Sequence, residues 1–285
     1  MLSLILALLF SAAISLGLKI FSRDGNNRYG IIIGNYLTCV VMAFLVLPEK
    51  SLLFHAQGIT YLIGIFTGFL FVGGMVATQI SIQKNGATLT AAFSKLGLLI
   101  SLALAVFVYG ERPGVLQIGG VGLVVVAMLL INSKPEKQSA SPGQVQAPVL
   151  LFLALLFSGS AEAMSKVFER VGSREEDAVF LFLIFFTAAV LSELLAFREY
   201  RKTGKRLVLK EVLSGIAVGL PNYSSSYMLL RALVSLPAFL VYPVFCTGSI
   251  LVVMTVCILF LGERLSRKQA LGIAFILAAL VLLNL

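Results

Sequence analysis

Residues 6–23 read LALLFSAAISLGLKIFSR, and residues 153–170 read LALLFSGSAEAMSKVFER. The two stretches align without gaps and are identical at nine of 18 positions. A second pair, GERPGVLQIGGVGLVVVAMLLIN at 110–132 and GERLSRKQALGIAFILAALVLLN at 262–284, shares the Gly-Glu-Arg opening, a glutamine, a glycine and the final asparagine. The chain therefore consists of two similar halves.

The composition places these halves in a membrane. Hydrophobic residues make up 59% of the chain and charged residues 12%, whereas soluble domains carry about 25% charged residues. A bilayer core requires roughly 20 apolar residues of helix, and its backbone hydrogen bonds must be satisfied internally. Ten runs meet this requirement: 1–22, 29–47, 58–82, 87–109, 114–132, 148–169, 178–197, 208–231, 235–261 and 268–284. We predict an all-α integral membrane protein with ten transmembrane helices.

The arrangement of the runs predicts the domains. Residues 133–147, SKPEKQSASPGQVQA, have the composition of a flexible linker between a first five-helix repeat at 1–132 and a second at 148–285. Because the first run takes part in the repeat, we interpret it as a retained helix rather than a signal peptide. Because each repeat has an odd number of helices, the second repeat must enter the membrane from the side opposite to the first. The two repeats are therefore inverted relative to each other, which is typical of secondary transporters.

The remaining polar residues exclude several functions. The cysteines at 39, 246 and 257 all lie in apolar runs, and the one histidine, His55, lies in a short connection. We therefore expect no metal site, no cofactor and no enzyme activity. The net charge of +9 does not indicate a nucleic-acid partner, because most cations lie in short loops. Loops after odd-numbered runs hold 14 Lys and Arg, and the other loops hold five, which places both termini outside.

The two five-helix halves, the Tyr-Gly-Glu-Arg stretch at 109–112 and the Gly-Glu-Arg, Gln and Gly pattern at 262–272 resemble the drug/metabolite transporter (DMT) superfamily, and specifically its EamA-type ten-helix carriers. The resemblance covers essentially the whole chain. It implies a carrier, but members export amino acids and other metabolites or import sugars, choline and nucleotide sugars, so it does not indicate the substrate. Relatives usually have both termini inside, which conflicts with the charge count, and the orientation stays open.

Two charged side chains lie deep in apolar sequence. Lys95 lies in AAFSKLGLLISL, where a cation costs about 2.5–3.5 kcal/mol to insert, so it should face the protein interior. It is a counter-charge for an anionic group of the substrate, a proton-linked switch, or part of a structural ion pair or hydrogen bond. Glu162 has Lys166 at i+4 and is either a proton-coupling carboxylate or half of such a pair. Lys19 and Lys166 lie near helix ends, where their side chains can reach the membrane surface or interact with the C-terminal end of the helix dipole.

Polar and aromatic side chains gather on other runs. We predict that the substrate contacts Asn35 and Tyr36 in the second run and Gln79 in the third run. Further predicted contacts lie in the eighth and ninth runs, at Asn222, Tyr223, Tyr227 and Tyr242. Prolines 221 and 243 interrupt the same runs, and such breaks are tolerated where the freed backbone lines a cavity. The alternative is ordinary hydrogen bonding between helices.

These observations predict a secondary active transporter in the inner or plasma membrane. It would move a small polar or zwitterionic, amino-acid-like metabolite by alternating access around a central cavity, as an efflux carrier. Its partners would be the substrate, protons or another coupling ion, and membrane lipid, and it would be a monomer or homodimer. The alternatives are uptake of an organic cation such as choline or of a sugar, or a component that handles lipid-linked substrates. The absence of Trp weakens the choline alternative.

Overall fold

The computed structural model describes residues 1–21, 28–85, 87–131, 148–204, 208–261 and 267–283, and every regular element in these ranges is helical. The α-helices are α1 (Leu2–Phe21), α2 (Arg28–Val46), α3 (Leu52–His55), α4 (Gly58–Asn85), α5 (Ala87–Leu96), α6 (Leu98–Phe107), α7 (Val115–Ile131), α8 (Pro148–Val171), α9 (Asp177–Thr203), α10 (Leu209–Ser235), α11 (Ala238–Leu261) and α12 (Arg267–Leu283). A 3₁₀ turn, Arg174–Glu176, precedes α9. The prediction of an all-helical protein is confirmed.

The membrane character is also confirmed. Among the described residues, four segments are long and apolar enough to cross a bilayer, namely Gly58–Thr78, Pro148–Val171, Arg174–Lys202 and Ala238–Phe260. Shorter apolar helices lie at Leu2–Leu18, Gly30–Val46, Phe93–Phe107, Val115–Leu130 and Ala270–Leu283. Helix α10 belongs to neither group, and the polar run NYSSSY lies in its middle. The number of ten crossings stays a prediction.

The chain forms two compact units, which divide it differently from the sequence repeats. Unit 1 contains Met1–Val72 and Val167–Val234, and unit 2 contains Gly73–Lys166 and Ser235–Leu285. Each unit therefore combines helices from both halves of the sequence. The predicted linker at 133–147 lies outside the described residues. The division into repeats at 1–132 and 148–285 stays a prediction.

Unit 1 is held by aromatic packing and by a buried carboxylate. The rings of Phe168 and Phe180 stack with their centroids 4.0 Å apart. Glu176 is buried and accepts hydrogen bonds from the Gln57 backbone N–H, at 2.9 Å, and from the Thr60 hydroxyl. These donors lie in the first turn of α4, where backbone N–H groups have no partner within the helix and a negative charge is favoured. Glu176 therefore fixes the start of α4 to the start of α9.

Unit 2 is built around the close approach of α7 and α12. A Cβ atom added at Gly120 would lie 3.0 Å from the Leu283 side chain and 3.3 Å from the Ala279 carbonyl oxygen. Ala127 and Ile276 are fully buried in the same contact. Small residues that let two backbones approach closely are the usual basis of helix association in lipid. The repeated segments at 110–132 and 262–284 therefore contribute α7 and α12 as a packed pair.

Candidate functional site

The first group of candidate residues lies in unit 1, where α2 and α10 touch through glycines. A Cβ atom at Gly34 would lie 2.3 Å from the Val212 carbonyl oxygen, and one at Gly219 would lie 2.6 Å from the Asn35 carbonyl oxygen. Real Cβ atoms do not approach this closely, so the two backbones are in direct contact. The contact brings the polar residues of the second and eighth apolar runs together.

The polar residues that meet here form an amide–tyrosine cluster, defined as Asn35, Tyr36, Asn222, Tyr223 and Tyr227. The Asn222 side-chain amide donates a hydrogen bond to the Asn35 side-chain oxygen at 3.0 Å. Tyr36 and Tyr223 are buried, and the Tyr223 hydroxyl has no hydrogen-bond partner among the described residues. The Tyr223 and Tyr227 rings lie nearly parallel with centroids 6.2 Å apart. The cluster is therefore neutral and largely enclosed.

Arg231 lies one turn after Tyr227 on α10. The charge count made from the sequence included it only as one of the five cations in the loops after even-numbered runs. Its guanidinium donates a hydrogen bond to the Tyr227 hydroxyl at 2.9 Å and lies 5.3 Å from the centre of the Tyr227 ring. The signal was present in the sequence, because Tyr223, Tyr227 and Arg231 are spaced at i, i+4 and i+8 and so share one helix face. The predicted end of the eighth run at residue 231 concealed it, since α10 continues to Ser235.

The second group lies in unit 2, where the fourth apolar run is interrupted at Gly97. The Gly97 N–H donates to the Ser94 carbonyl at 3.2 Å, and the Ile100 N–H donates to the Gly97 carbonyl at 2.9 Å, so the helix tightens locally to 3₁₀-type bonds. A Cβ atom at Gly159 would lie 2.3 Å from the Gly97 carbonyl oxygen. Helix α8 therefore touches the backbone where α5 ends and α6 begins.

Lys95 and Glu162 lie on either side of this glycine contact. Lys95 precedes Gly97 by two residues, Glu162 follows Gly159 by three, and the two side chains interact electrostatically. Both residues are half-buried. Tyr242, which is fully buried, donates its hydroxyl to the Glu162 backbone carbonyl at 2.8 Å and so fixes α11 against α8 at this position.

One turn further along α8, an ion pair places another cation beside a carboxylate. The Lys166 ammonium lies 3.3 Å from a Glu111 carboxylate oxygen, and both side chains are largely buried. Glu111 also accepts hydrogen bonds from the backbone N–H groups of Ala238 and Phe239, at 3.2 and 3.1 Å, in the first turn of α11. We call Lys95, Glu162, Lys166 and Glu111 the ionic chain.

The prediction that Lys166 reaches the membrane surface was wrong, since only 3% of the residue is exposed. The sequence spacing placed Lys166 near a helix end but could not show the carboxylate of Glu111 beside it. Glu111 belongs to the Gly-Glu-Arg motif, and its contacts give that motif a structural function at the start of α11. The other predicted site residue, Gln79, lies in α4, and its side chain is outside the described part of the chain.

The candidate residues therefore form two separate groups. The amide–tyrosine cluster lies in unit 1, and Lys95, Glu162 and Tyr242 lie in unit 2. Within the described ranges, no three His, Cys, Asp or Glu side chains are grouped closely enough to hold a metal ion. The chemistry that these groups offer is charge pairing and hydrogen bonding to a polar organic molecule.

Comparison with known proteins assigns a family to this arrangement. The sequence profile of the EamA-like transporter family matches residues 1–133 and 146–285, one half of the chain each. The chain belongs to the EamA-like transporter family. This places it among the transporters of the DMT superfamily and confirms the two-repeat architecture of a multi-pass membrane protein.

A comparison of this EamA-like transporter with solved structures supports its fold and gives no information on its substrate. One solved structure, described only as the crystal structure of a protein, is similar with a TM-score of 0.78 and 14% sequence identity. The match covers 99% of this chain and 94% of the other. No curated protein sequence matches the chain. The substrate of this EamA-like transporter therefore has to be argued from its own side chains.

Proposed function

We propose that this EamA-like transporter is a secondary carrier of a small zwitterionic, amino-acid-like metabolite. The observation that carries the proposal is the electrostatic interaction between Lys95 and Glu162 beside the contact of Gly97 with Gly159. A zwitterion carries one carboxylate and one ammonium group, and this pair offers one charge of each sign. An ion without its counter-charge is costly inside a membrane protein, so a neutral pair favours a cargo whose own charges balance.

The proposed roles follow from charge. Lys95 binds the cargo carboxylate, and Glu162 binds the cargo ammonium. Without cargo the two side chains neutralise each other, and Glu162 is the group that exchanges a proton if transport is proton-coupled. Tyr242 is a positioning residue, because its hydroxyl holds the backbone at Glu162. The contacts predicted for Gln79 and the amide–tyrosine cluster remain part of the proposal.

The transport cycle that we propose is alternating access, in which helices change their packing around a bound cargo. Gly97 separates α5, which carries Lys95, from α6, and Pro243 lies inside α11, which carries Tyr242. We propose these positions as the places where the helices bend. The proposed direction is efflux across the inner or plasma membrane. The proposed assembly is a monomer or homodimer.

The experiment uses three compounds that share an apolar side chain and differ in the charged groups that they carry. The purified protein in detergent is heated with leucine, with isopentylamine, which lacks the carboxylate, and with 4-methylpentanoate, which lacks the ammonium. We expect leucine to raise the unfolding temperature most. Lys95→Met should remove the advantage of leucine over the amine, and Glu162→Gln should remove its advantage over the acid.

The matched control is Lys84→Met, which removes an exposed lysine at the end of α4 and should leave the ranking unchanged. An identical ranking in the wild type and in Lys95→Met contradicts the role of Lys95. If none of the three compounds stabilises the wild type, the zwitterion proposal is wrong, and lipid-linked ligands become the next candidates.

A further inference from the structure

One face of α10 carries three hydrogen-bond donors in a row. Tyr223, Tyr227 and Arg231 follow one another at intervals of four residues, so they span two turns, or about 12 Å of helix. The Tyr227 hydroxyl accepts a hydrogen bond from Arg231 and keeps its own proton available for donation. The Tyr223 hydroxyl is buried without a partner in the described part of the chain. This face is therefore suited to a molecule with acceptor oxygens.

The same face also offers aromatic surface. The Tyr223 and Tyr227 rings are inclined by only 15° to each other, and Phe185 of α9 lies with its ring centroid 6.0 Å from that of Tyr223. Aromatic rings at such distances favour contact with flat apolar groups. This face of α10 thus combines the half-buried Tyr227 ring, which is backed by Tyr223, with a planar cation at Arg231.

Arg231 is the element that selects charge. The residue is exposed, and its guanidinium carries five donors in a fork that matches the two oxygens of a carboxylate. Asp177, at the start of α9, interacts electrostatically with Arg231 and with Arg174. An incoming anion must therefore compete with the carboxylate of Asp177 for the guanidinium.

We propose that Tyr223, Tyr227 and Arg231 form an anion site in unit 1 for a monocarboxylate with a flat apolar body. The carboxylate pairs with Arg231, the flat body lies against the half-buried Tyr227 ring, and the buried Tyr223 hydroxyl hydrogen-bonds an acceptor on that body. The site differs from the Lys95 site in residues and in ligand class. It stands without the zwitterion proposal, because none of its observations involves unit 2.

The test compares benzoate with its neutral analogue benzamide by titration calorimetry on the purified protein. We expect the wild type to prefer benzoate. Arg231→Gln should weaken benzoate binding about tenfold or more and leave benzamide binding unchanged, since it removes a charge-assisted bidentate contact. Arg231→Lys should fall in between, because lysine keeps the charge but loses the fork.

Two further variants make the result independent of simple misfolding. Asp177→Asn should strengthen benzoate binding several-fold by removing the competing carboxylate, an effect that structural damage does not produce. Lys84→Met, which removes an exposed lysine of unit 2, should leave benzoate binding unchanged. Equal binding of benzoate by the wild type and Arg231→Gln overturns the proposal. Loss of benzoate binding in Lys84→Met also overturns it, because the loss would then follow from removing any cation rather than from removing Arg231.

Discussion

The amide–tyrosine cluster and the ionic chain are constructed in the same way and differ in chemistry. In unit 1, Gly219 presses against α2, and Asn222 follows it by three residues. In unit 2, Gly159 presses against Gly97, and Glu162 follows it by three residues. A glycine contact brings two backbones together, and the next polar side chain on that helix then meets its partner. The comparison teaches that glycine positions select where polar groups meet, whereas side-chain charge selects what they can bind.

The difference in charge between the two groups also predicts which substitutions cost more stability. Removing one member of a buried ion pair leaves an uncompensated charge, which costs several kcal/mol. Removing one member of a neutral amide pair costs about 1 kcal/mol. Substitutions in the ionic chain should therefore disturb the protein more than substitutions in the amide–tyrosine cluster.

The largest expected effect is that of Glu111→Gln. The substitution removes the carboxylate beside buried Lys166 and weakens the hydrogen bonds to the first turn of α11. We expect a loss of about 3 kcal/mol in unfolding free energy, measured by denaturant titration in detergent micelles.

Two matched variants control this result. Glu175→Gln removes an exposed carboxylate and should change stability little. The double variant Glu111→Gln with Lys166→Met should recover part of the loss, because it removes both charges of the pair. If Glu111→Gln and Glu175→Gln prove equally stable, the buried pair is not a stabilising element.

The next effect tests the glycine contact that places Glu162. In Gly159→Ala the added Cβ atom meets the Gly97 carbonyl oxygen, which cannot move without displacing the helix. We expect a loss of about 1–3 kcal/mol in stability and weaker leucine binding. Gly122→Ala is the control, since nothing lies within 4 Å of its Cβ position. That variant should be neutral or slightly stabilised, and a similar loss in both variants would contradict the role of the contact.

A smaller effect is expected in the neutral cluster. Asn222→Ala removes the amide that donates to Asn35, and we expect a loss of about 1 kcal/mol. A double-mutant cycle with Asn35→Ala checks the pairing. Because the two residues share one hydrogen bond, the double variant should lose clearly less than the sum of the single variants. Strictly additive losses would show that the two amides do not act as a pair.

Much of the fold could be predicted from the sequence, because length and apolar composition determine where helices form in a bilayer. Within the described residues, each predicted run is mostly helical, while the number of ten crossings stays a prediction. The break at Gly97 was not predicted, since it depends on the contact with Gly159, which is distant in the chain. The two compact units were also not foreseen. Internal similarity reveals the repeats, but it does not show which helices of the two repeats pack together.

The candidate sites were predictable to a different degree. Lys95 and Glu162 were identifiable because a charge inside an apolar run is costly, and that cost implies a partner. Their proximity was not predictable, because the sequence alone placed them on separate helices. The pairing of Lys166 with Glu111 was missed for the same reason. Arg231 was missed because a cation at the end of an apolar run looks like a loop residue.

The smallest expected effect has the opposite sign and concerns Tyr223→Phe. The Tyr223 hydroxyl is buried without a partner among the described residues, so removing it should stabilise the free protein by up to about 1 kcal/mol. Tyr242→Phe is the matched control, since that hydroxyl donates to the Glu162 carbonyl at 2.8 Å and its loss should destabilise the protein. Thermal unfolding of both variants measures the contrast. An equal destabilisation of the two variants would mean that the Tyr223 hydroxyl is already satisfied and is not reserved for a ligand.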